Sequence, residues 1–439
     1  MQVAIVGAGI SGFGAALSLR ASGHDVTLFE KDTRLGGHAH TVTVDYDGVA
    51  MPVDTGFIVF NPLNYPNLVA MLAYLGVETF ESDMSFAVSD PNGYEWSSNG
   101  LGGIFAWKRN IASPAFLCML GDIVRFSTAA RADIDDDRIS DASLEDYVAS
   151  LKLSKSFLRH YLLPMGAAIW STPEPDMLRY PAQTFLRFCD NHRLLHAKRP
   201  KWRSVLGGSR KYVSAAAERL SGCIRAGDPV VEVRRESDGQ VSVRSQSGAR
   251  QLFDHVILAC HSDEALAILA NPDAQERGAL SAVRYAPNTA YLHRDPGLMP
   301  RRRAAWASWN YLRPEKGQED GPVCVSYWMN LLQGLDRSRS LFVTLNPPAP
   351  PQPELTFGQF SYAHPQFDLA AIEAQRTLRA RGPRGGISFA GAWLGYGFHE
   401  DGLTSGLNAA AHLGATPPWA KSTAIAAPID APAFSAAAS

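Results

Sequence analysis

Three glycines and one acid near the start of the chain have the spacing to hold a phosphate-bearing ligand. Gly7, Gly9 and Gly12 follow directly on the apolar run "VAIV" (Val3 to Val6), and a helical pattern continues to about Ala21. A second apolar run, "DVTLFE", ends in Glu30. Strand, glycine turn, helix, strand and acid in that order form a dinucleotide fingerprint. Gly7 permits the tight turn, Gly9 lets the backbone approach a pyrophosphate, and Gly12 lets helix and sheet pack closely. The helix N-terminus offers unpaired N–H groups to the phosphates, and Glu30 is placed to accept from a ribose hydroxyl.

A second chemical stretch, "FAGAWLGYGFHEDGLTSG" (Phe389 to Gly406), lies near the other end of the chain. It reads as a buried strand, a Gly-aromatic turn and a helix start, with His399, Glu400 and Asp401 at the junction. Two readings of His399 stand side by side. It faces a cofactor and substrate as a proton donor or acceptor, or it orients the loop while Glu400 and Asp401 cap the helix.

The elements that must position these residues are legible in outline. "VLGGSRKYVSAAAERL" reads as a glycine turn followed by an amphipathic helix. "DPVVEVRRESDGQVSVRSQSG" reads as a hairpin turning at Asp238-Gly239. "FDHVILACHSDEAL" reads as a buried strand entering a helix, with Ser262 or Asp263 as its N-cap. The block from about 80 to 200 is expected to be mostly helical, and that from about 285 to 385 richer in strands. Trp306, Trp309, Tyr311, Tyr327, Trp328 and Trp170 are candidates for a substrate lining, with core as the more common role of such residues. The Ala-, Pro- and Ser-rich tail after about Ala415 is expected to be disordered.

Composition bounds the rest. A chain of 439 residues with 46% hydrophobic content is long enough for two domains. A formal net charge of −2 gives no global attraction to nucleic acid. Five cysteines, none at metal-ligand spacing, fit a reducing compartment without a disulfide framework, and no metal site is expected. No run is long and apolar enough to span a bilayer, and the first twenty residues lack the basic start of a signal peptide. A cytoplasmic protein is expected.

Two further motifs, "RLGGH" (Arg34 to His38) and "DTGF" (Asp54 to Phe57), complete a pattern. With them the sequence resembles the two-dinucleotide-binding-domain flavoproteins of the amine oxidase, protoporphyrinogen oxidase and phytoene desaturase superfamily. The resemblance implies a mixed α/β, α+β fold: a Rossmann-like FAD domain with an interleaved substrate domain of helices and a mixed β-sheet. Residues 1–80, 201–284 and 386–414 would form the FAD domain, and 81–200 and 285–385 the substrate domain. It implies FAD contacts at Gly7, Gly9, Ile10, Ser11, Gly12, Glu30, Lys31, Arg34, Gly36, Gly37, His38, Thr55 and Gly56. Val230 and Val231 would lie at the adenine end. Gly391, Ala392, Gly402, Leu403 and Ser405 would lie at the flavin end. FAD is expected to be noncovalent, since no cysteine lies near the C-terminal motif. The sequence departs from relatives at Ala392, where an acid is frequent, and at the lysine that amine oxidases place by the flavin. His293 falls in that neighbourhood and is a second catalytic candidate.

The phrases "YLLPMGAAIWS", "RRRAAWASWNY", "VSYWMNLLQ" and "FAGAWLGYGFHEDGL" resemble a bacterial subgroup that accompanies cyclopropane-fatty-acid-synthase-type methyltransferases. That resemblance implies hydride removal from a fatty acyl chain. It also implies a lipid methyltransferase as partner, and peripheral contact with the inner membrane through an apolar patch rimmed by Arg or Lys. A redox-neutral double-bond isomerase, an amine oxidase and a flavin-bearing scaffold are the alternatives.

Overall fold

The computed structural model describes residues 1–420 apart from 137, 140, 141, 171, 197, 199, 249 and 316–320. Residues Val3–Val6 are all buried because β1 (Gln2–Val6) lies in the middle of a sheet covered on both faces. The sheet also contains β2 (Asp25–Glu30), β3 (Ile224–Ala226), β4 (His255–Leu258) and β5 (Ile387–Phe389), in the order β3-β2-β1-β4-β5. Every pairing in it is parallel. Helix α1 (Ile10–Ala21) leaves the C-terminal end of β1, and helix α2 (His399–Ala411) follows β5.

The two helices cross at almost bare backbone. A Cβ added to Gly406 would stand 2.0 Å from the Ser11 carbonyl oxygen, and one on Gly402 would stand 2.9 Å from Ile10 Cγ2. Leu403 fills the space over Gly14 and is fully buried. Small residues at the crossing thus bring the start of α2 against the start of α1.

A seven-stranded sheet forms the second layer. From one edge its strands are Thr356–Gln366, Arg284–His293, Phe342–Leu345, Cys324–Trp328, Trp309–Leu312, Phe86–Ser89 and Glu95–Ser97. The pairing of Trp309–Leu312 with Phe86–Ser89 is parallel, and the others are antiparallel. Helices between Gly100 and Asn191 pack on this sheet, where Phe116, Phe126, Phe157 and Phe185 share one core with Val325 and Val343. The hairpin at Asp238-Gly239 is present, joining Val230–Arg235 to Val241–Ser245.

The block from about 80 to 200 is mostly helical, with the strands Phe86–Ser89 and Glu95–Ser97 ahead of its first helix at Gly100. Two local expectations need correction. The helix after β4 is capped at His261, because Glu264 reaches back to accept from the His261 N–H at 3.2 Å. The tail is ordered further than its composition suggests. Ala415 and Trp419 are buried, and Trp419 packs at 5.7 Å on Tyr74. Residues 421–439, the rest of the tail expected to be disordered, lie outside the described residues. Among the described residues no helix is long and apolar enough to cross a membrane.

The crossing yields a paired test. Gly406→Ala should force α1 and α2 apart and cost about 1–3 kcal/mol in thermal unfolding. Gly278→Ala, on the helix Ala274–Ala282 where a Cβ meets nothing within 4 Å, should be neutral or slightly stabilising.

Candidate active site

The glycine fingerprint forms a cradle with one open side. Gly7 has φ +107°, and a Cβ there would strike the Ala259 carbonyl oxygen at 2.7 Å. A Cβ on Gly12 would strike the Gly7 carbonyl oxygen at 1.9 Å. On Gly9 it would meet nothing within 4 Å, and Gly9 begins α1 with no side chain capping it. Gly37 closes in from the other side, its Cβ position 3.3 Å from Gly9 Cα. Ile10 and Ser11 start the helix at the cradle's edge. Glu30 is held close by, accepting from the Ala8 N–H at 2.8 Å and the Asp32 N–H at 3.1 Å.

The neighbouring motifs surround this cradle. Gly36 N donates to the Ala8 carbonyl at 2.9 Å. Arg34 donates to the Leu35 and Ala39 carbonyls, bracing the loop from within. Gly56 lies so near His38 that a Cβ would stand 2.1 Å from the His38 carbonyl oxygen. Val230 is buried at the start of its hairpin, beyond a loop whose Asp228 N donates to the Glu30 carbonyl at 3.2 Å; Val231 is exposed. Lys31 is committed elsewhere, in a 2.5 Å ion pair with Glu264.

Asp54 and Thr55 tie the cradle to the second sheet. The buried Asp54 carboxylate accepts from Thr41 Oγ1 at 2.5 Å, Ser209 N at 3.0 Å, Ser209 Oγ at 2.7 Å and Gln333 Nε2 at 2.9 Å. Burial pushes its pKa up to about 6 against the pull of these bonds. The Thr55 hydroxyl lies 2.6 Å from Tyr362 Oη, which also lies 2.9 Å from His40 Nδ1.

A group of imidazoles lies along the same edge. The His38 ring is 5.4 Å from Tyr362, 5.7 Å from His364 and 6.1 Å from His261. Burial, helped by the neighbouring imidazoles, pushes His38 down to about 3 and His364 to about 4. These rings are therefore neutral near pH 7. Among the described residues, no group of three His, Cys, Asp or Glu could hold a metal ion.

At the C-terminal motif all three ionisable residues have internal partners. His399 stacks on Phe57 at 3.7 Å, and its Nε2 is 2.7 Å from Tyr212 Oη. Burial pushes its pKa down to about 3. Tyr212 thus holds one nitrogen of His399, and the ring is neutral near pH 7. Glu400 accepts from the Asn67 N–H at 2.8 Å and the Leu68 N–H at 3.0 Å, so it caps the helix Pro66–Leu75 rather than its own. Asp401 accepts from the Phe398 N–H at 2.9 Å and caps α2. Ser405 bridges the motif, accepting from the Gly391 N–H and donating to the Gly402 carbonyl, both at 2.8 Å, so its hydroxyl is engaged inside the protein. Ala392 begins the short turn between β5 and α2.

His293, the second catalytic candidate, does not join the other site motifs. It is fully buried, with Nε2 2.7 Å from Thr344 Oγ1 and Nδ1 accepting from the Asp295 N–H at 3.1 Å. It also lies seven residues along its strand from Ala286, the register partner of His364. That is roughly 23 Å at strand rise.

The structure gathers an aromatic wall of which the sequence offered only Trp170. Phe398, directly before α2, stacks at 5.5 Å on Phe188 of the helix Ala182–Asn191. Trp170 lies 4.5 Å and His192 4.0 Å from the same Phe188 ring, and Tyr396 lies 6.3 Å away. The available signal was the aromatic in "GYGF" one residue ahead of His399. Trp306 and Trp328 instead pack against each other and Phe342 in a separate core.

The family profile described as flavin containing amine oxidoreductase matches residues 10–293. The chain belongs to that family. The chain is 24% identical over 279 residues to the flavin-dependent L-tryptophan oxidase of Lentzea aerocolonigenes, covering 58% of this chain and 57% of that protein. It thus spans a little over half the length of that curated relative. Wild-type putrescine oxidase bound to putrescine has the same fold, with a TM-score of 0.66 at 18% identity over 94% of this chain and 99% of that one. So does a CLA-producing fatty acid isomerase from P. acnes, with a TM-score of 0.62 at 14% identity over 92% and 96% of the two chains.

The residues present fit FAD: the open side of Gly9 at an uncapped helix start has room and donors for a pyrophosphate. Filling it should expel the cofactor. Gly9→Val should lower FAD retention at least about ten-fold, read as flavin fluorescence after gel filtration, with an unchanged far-UV circular dichroism spectrum. Glu400 supplies a stability test. Burial pushes its carboxyl up to about 7 from 4.5. A raised carboxyl stabilises the fold fully below pH 4.5, and that contribution fades as pH climbs through 7. Glu400→Gln should flatten this part of the Tm profile. Glu400→Ala should lower Tm throughout, by unpairing the Asn67 and Leu68 N–H groups at about 1–3 kcal/mol.

Proposed function

We propose that the chain is an FAD-dependent oxidoreductase that removes a hydride from an apolar fatty acyl chain and leaves an alkene. The observation that carries this reading is the disposition of charge beside the aromatic wall. Glu400 and Asp401 each cap a helix, Asp190 pairs with His196 at 2.6 Å, and Asp54 is held by Thr41, Ser209 and Gln333. None of these carboxylates remains to pair with an ammonium group, whereas the half-buried Phe398 and Tyr396, backed by the buried Phe188 and Trp170, offer apolar surface. An acyl chain matches that lining and an amine does not.

When bound, FAD supplies the two-electron acceptor for the departing hydride. The rest falls to this chain. The cradle around Gly9 and the DTGF turn position the cofactor, and the aromatic wall holds the chain and excludes water. A proton leaves the adjacent carbon, and we assign its acceptor to His192. Its Nδ1 is 3.1 Å from the Phe188 carbonyl, which places the ring proton there and leaves Nε2 as the lone-pair nitrogen. Burial pushes His192 down to about 4 and so keeps it neutral. The division into FAD-binding and substrate-binding segments at 80, 200, 285 and 385, and a lipid methyltransferase as source or consumer of the acyl substrate, belong to the same proposal.

An anaerobic titration tests it. Unsaturated, branched or cyclopropane acyl lipids should bleach the flavin absorbance, while simple amines and polyamines should not. His192→Asn should slow the bleaching by about 10²–10⁴ without loss of FAD. Bleaching by amines would replace the reading with amine oxidation. Product with a moved double bond and no net bleaching would replace it with isomerisation. A flavin inert to every lipid would leave the scaffold role.

A further inference from the structure

The helix Pro114–Asp135 turns one apolar side inward and another outward. Phe116, Met119 and Phe126 are buried. On the opposite side Leu117 and Val124 are 48% and 66% exposed, and Ala115, Cys118 and Gly121 are exposed with them. The segment just before the helix adds Leu101 at 76% and Ile111 at 59%. Four of the eleven large apolar side chains exposed among the described residues thus fall between Leu101 and Val124. Single exposed apolar residues need no explanation, but such a concentration on one stretch does.

The exposed charges between Leu101 and Val124 have one sign. Lys108 and Arg109 are exposed, and among the described residues neither has an acidic partner. The guanidinium groups of Arg109 and Arg302 flank the Trp107 ring at 5.8 and 5.9 Å. Asp122, on the same helix, is buried and paired with Arg125 at 2.7 Å. The exposed acids Asp135 and Asp136 come only at the far end of the helix.

We propose that this face docks on an anionic bilayer. Leu101, Ile111, Leu117 and Val124 enter the boundary between headgroups and acyl chains, Trp107 sits at the interface, and Lys108 and Arg109 meet lipid phosphates. The proposal deepens the acyl-chain reading and rests on it for its purpose. The inner side of the same helix shares a core with Phe188, which faces Phe398 at the start of α2.

The test uses holoprotein and reads binding apart from turnover. Co-sedimentation with vesicles of phosphatidylglycerol and phosphatidylethanolamine should exceed that with phosphatidylcholine by about ten-fold. Leu117→Glu with Val124→Glu, and separately Lys108→Glu with Arg109→Glu, should each remove at least about ten-fold of that binding. The flavin spectrum, and bleaching by a micelle-free short-chain acyl substrate, should stay as in the wild type. Cys118 is the exposed thiol among the described cysteines, and an environment-sensitive dye on it should shift to the blue on anionic vesicles. Undiminished binding by both double variants, or a silent dye on sedimenting protein, would overturn the proposal. So would a dimer that the Leu117 and Val124 substitutions dissociate in light scattering, since the face would then belong to a second copy. Bleaching by acyl substrate without vesicle binding sinks the docking alone, and vesicle binding without bleaching sinks the acyl chemistry alone.

Discussion

The contact between α1 and α2 is the constraint on which the site depends. Ser11 and Gly406 come from opposite ends of the chain, yet no Cβ fits between the Gly406 Cα and the Ser11 carbonyl. At that separation the helices gain dispersion contacts along their backbones, and any larger residue would forfeit them. The same crossing sets Gly402 against Ile10 and Leu403 against Gly14. The phosphate cradle and the C-terminal motif are therefore one rigid object. Loop closure across most of the chain is entropically costly, but that cost grows only slowly with length. A buried interface of this kind offsets it.

Buried carboxylates do a second job of fixing geometry. Asp54, Glu400 and Asp401 sit in a low-dielectric interior, where an unpaired charge would be costly. Asp54 draws its donors from residues near 41, 209 and 333 and Glu400 from the start of the helix at Pro66, while Asp401 takes its own from the nearby Phe398 N–H. These bonds hold loops that have little hydrophobic surface of their own. The consequence for chemistry is a site edged by neutral imidazoles, hydroxyls and aromatic rings, with its acids turned away.

Local signals survived the passage from sequence to structure, and distant ones did not. The glycine fingerprint was legible because turn, helix packing and phosphate approach all act within about thirty residues. The hairpin at Asp238-Gly239 was legible for the same reason. The role of Glu400 was not, because its partner Asn67 lies 333 positions away and nothing in "HED" names it. His293 looked chemical by rough position, but its partner is a cross-strand neighbour, Thr344, that only the sheet register supplies. Phe398 was overshadowed by the ionisable residue beside it. Its importance comes from Phe188, on a helix whose placement over α2 no local pattern reveals.

The two layers are joined by specific hydrogen bonds as well as by apolar packing. Thr55 to Tyr362, His40 to Tyr362 and Asp54 to Gln333 each link a motif of the parallel-sheet layer to the seven-stranded sheet or to the turn beside it. A joint of this kind has preferred angles and little tolerance for sliding. The distance between the Gly9 cradle and the aromatic wall is then set by bond geometry rather than by a hinge. On the proposed acyl-chain reading, selection among substrates acts through the shape and polarity of that wall, since the layers cannot close more tightly on a smaller molecule without breaking buried hydrogen bonds. On that reading a change of substrate would require new side chains around Phe398 and Tyr396, with the cradle left as it is.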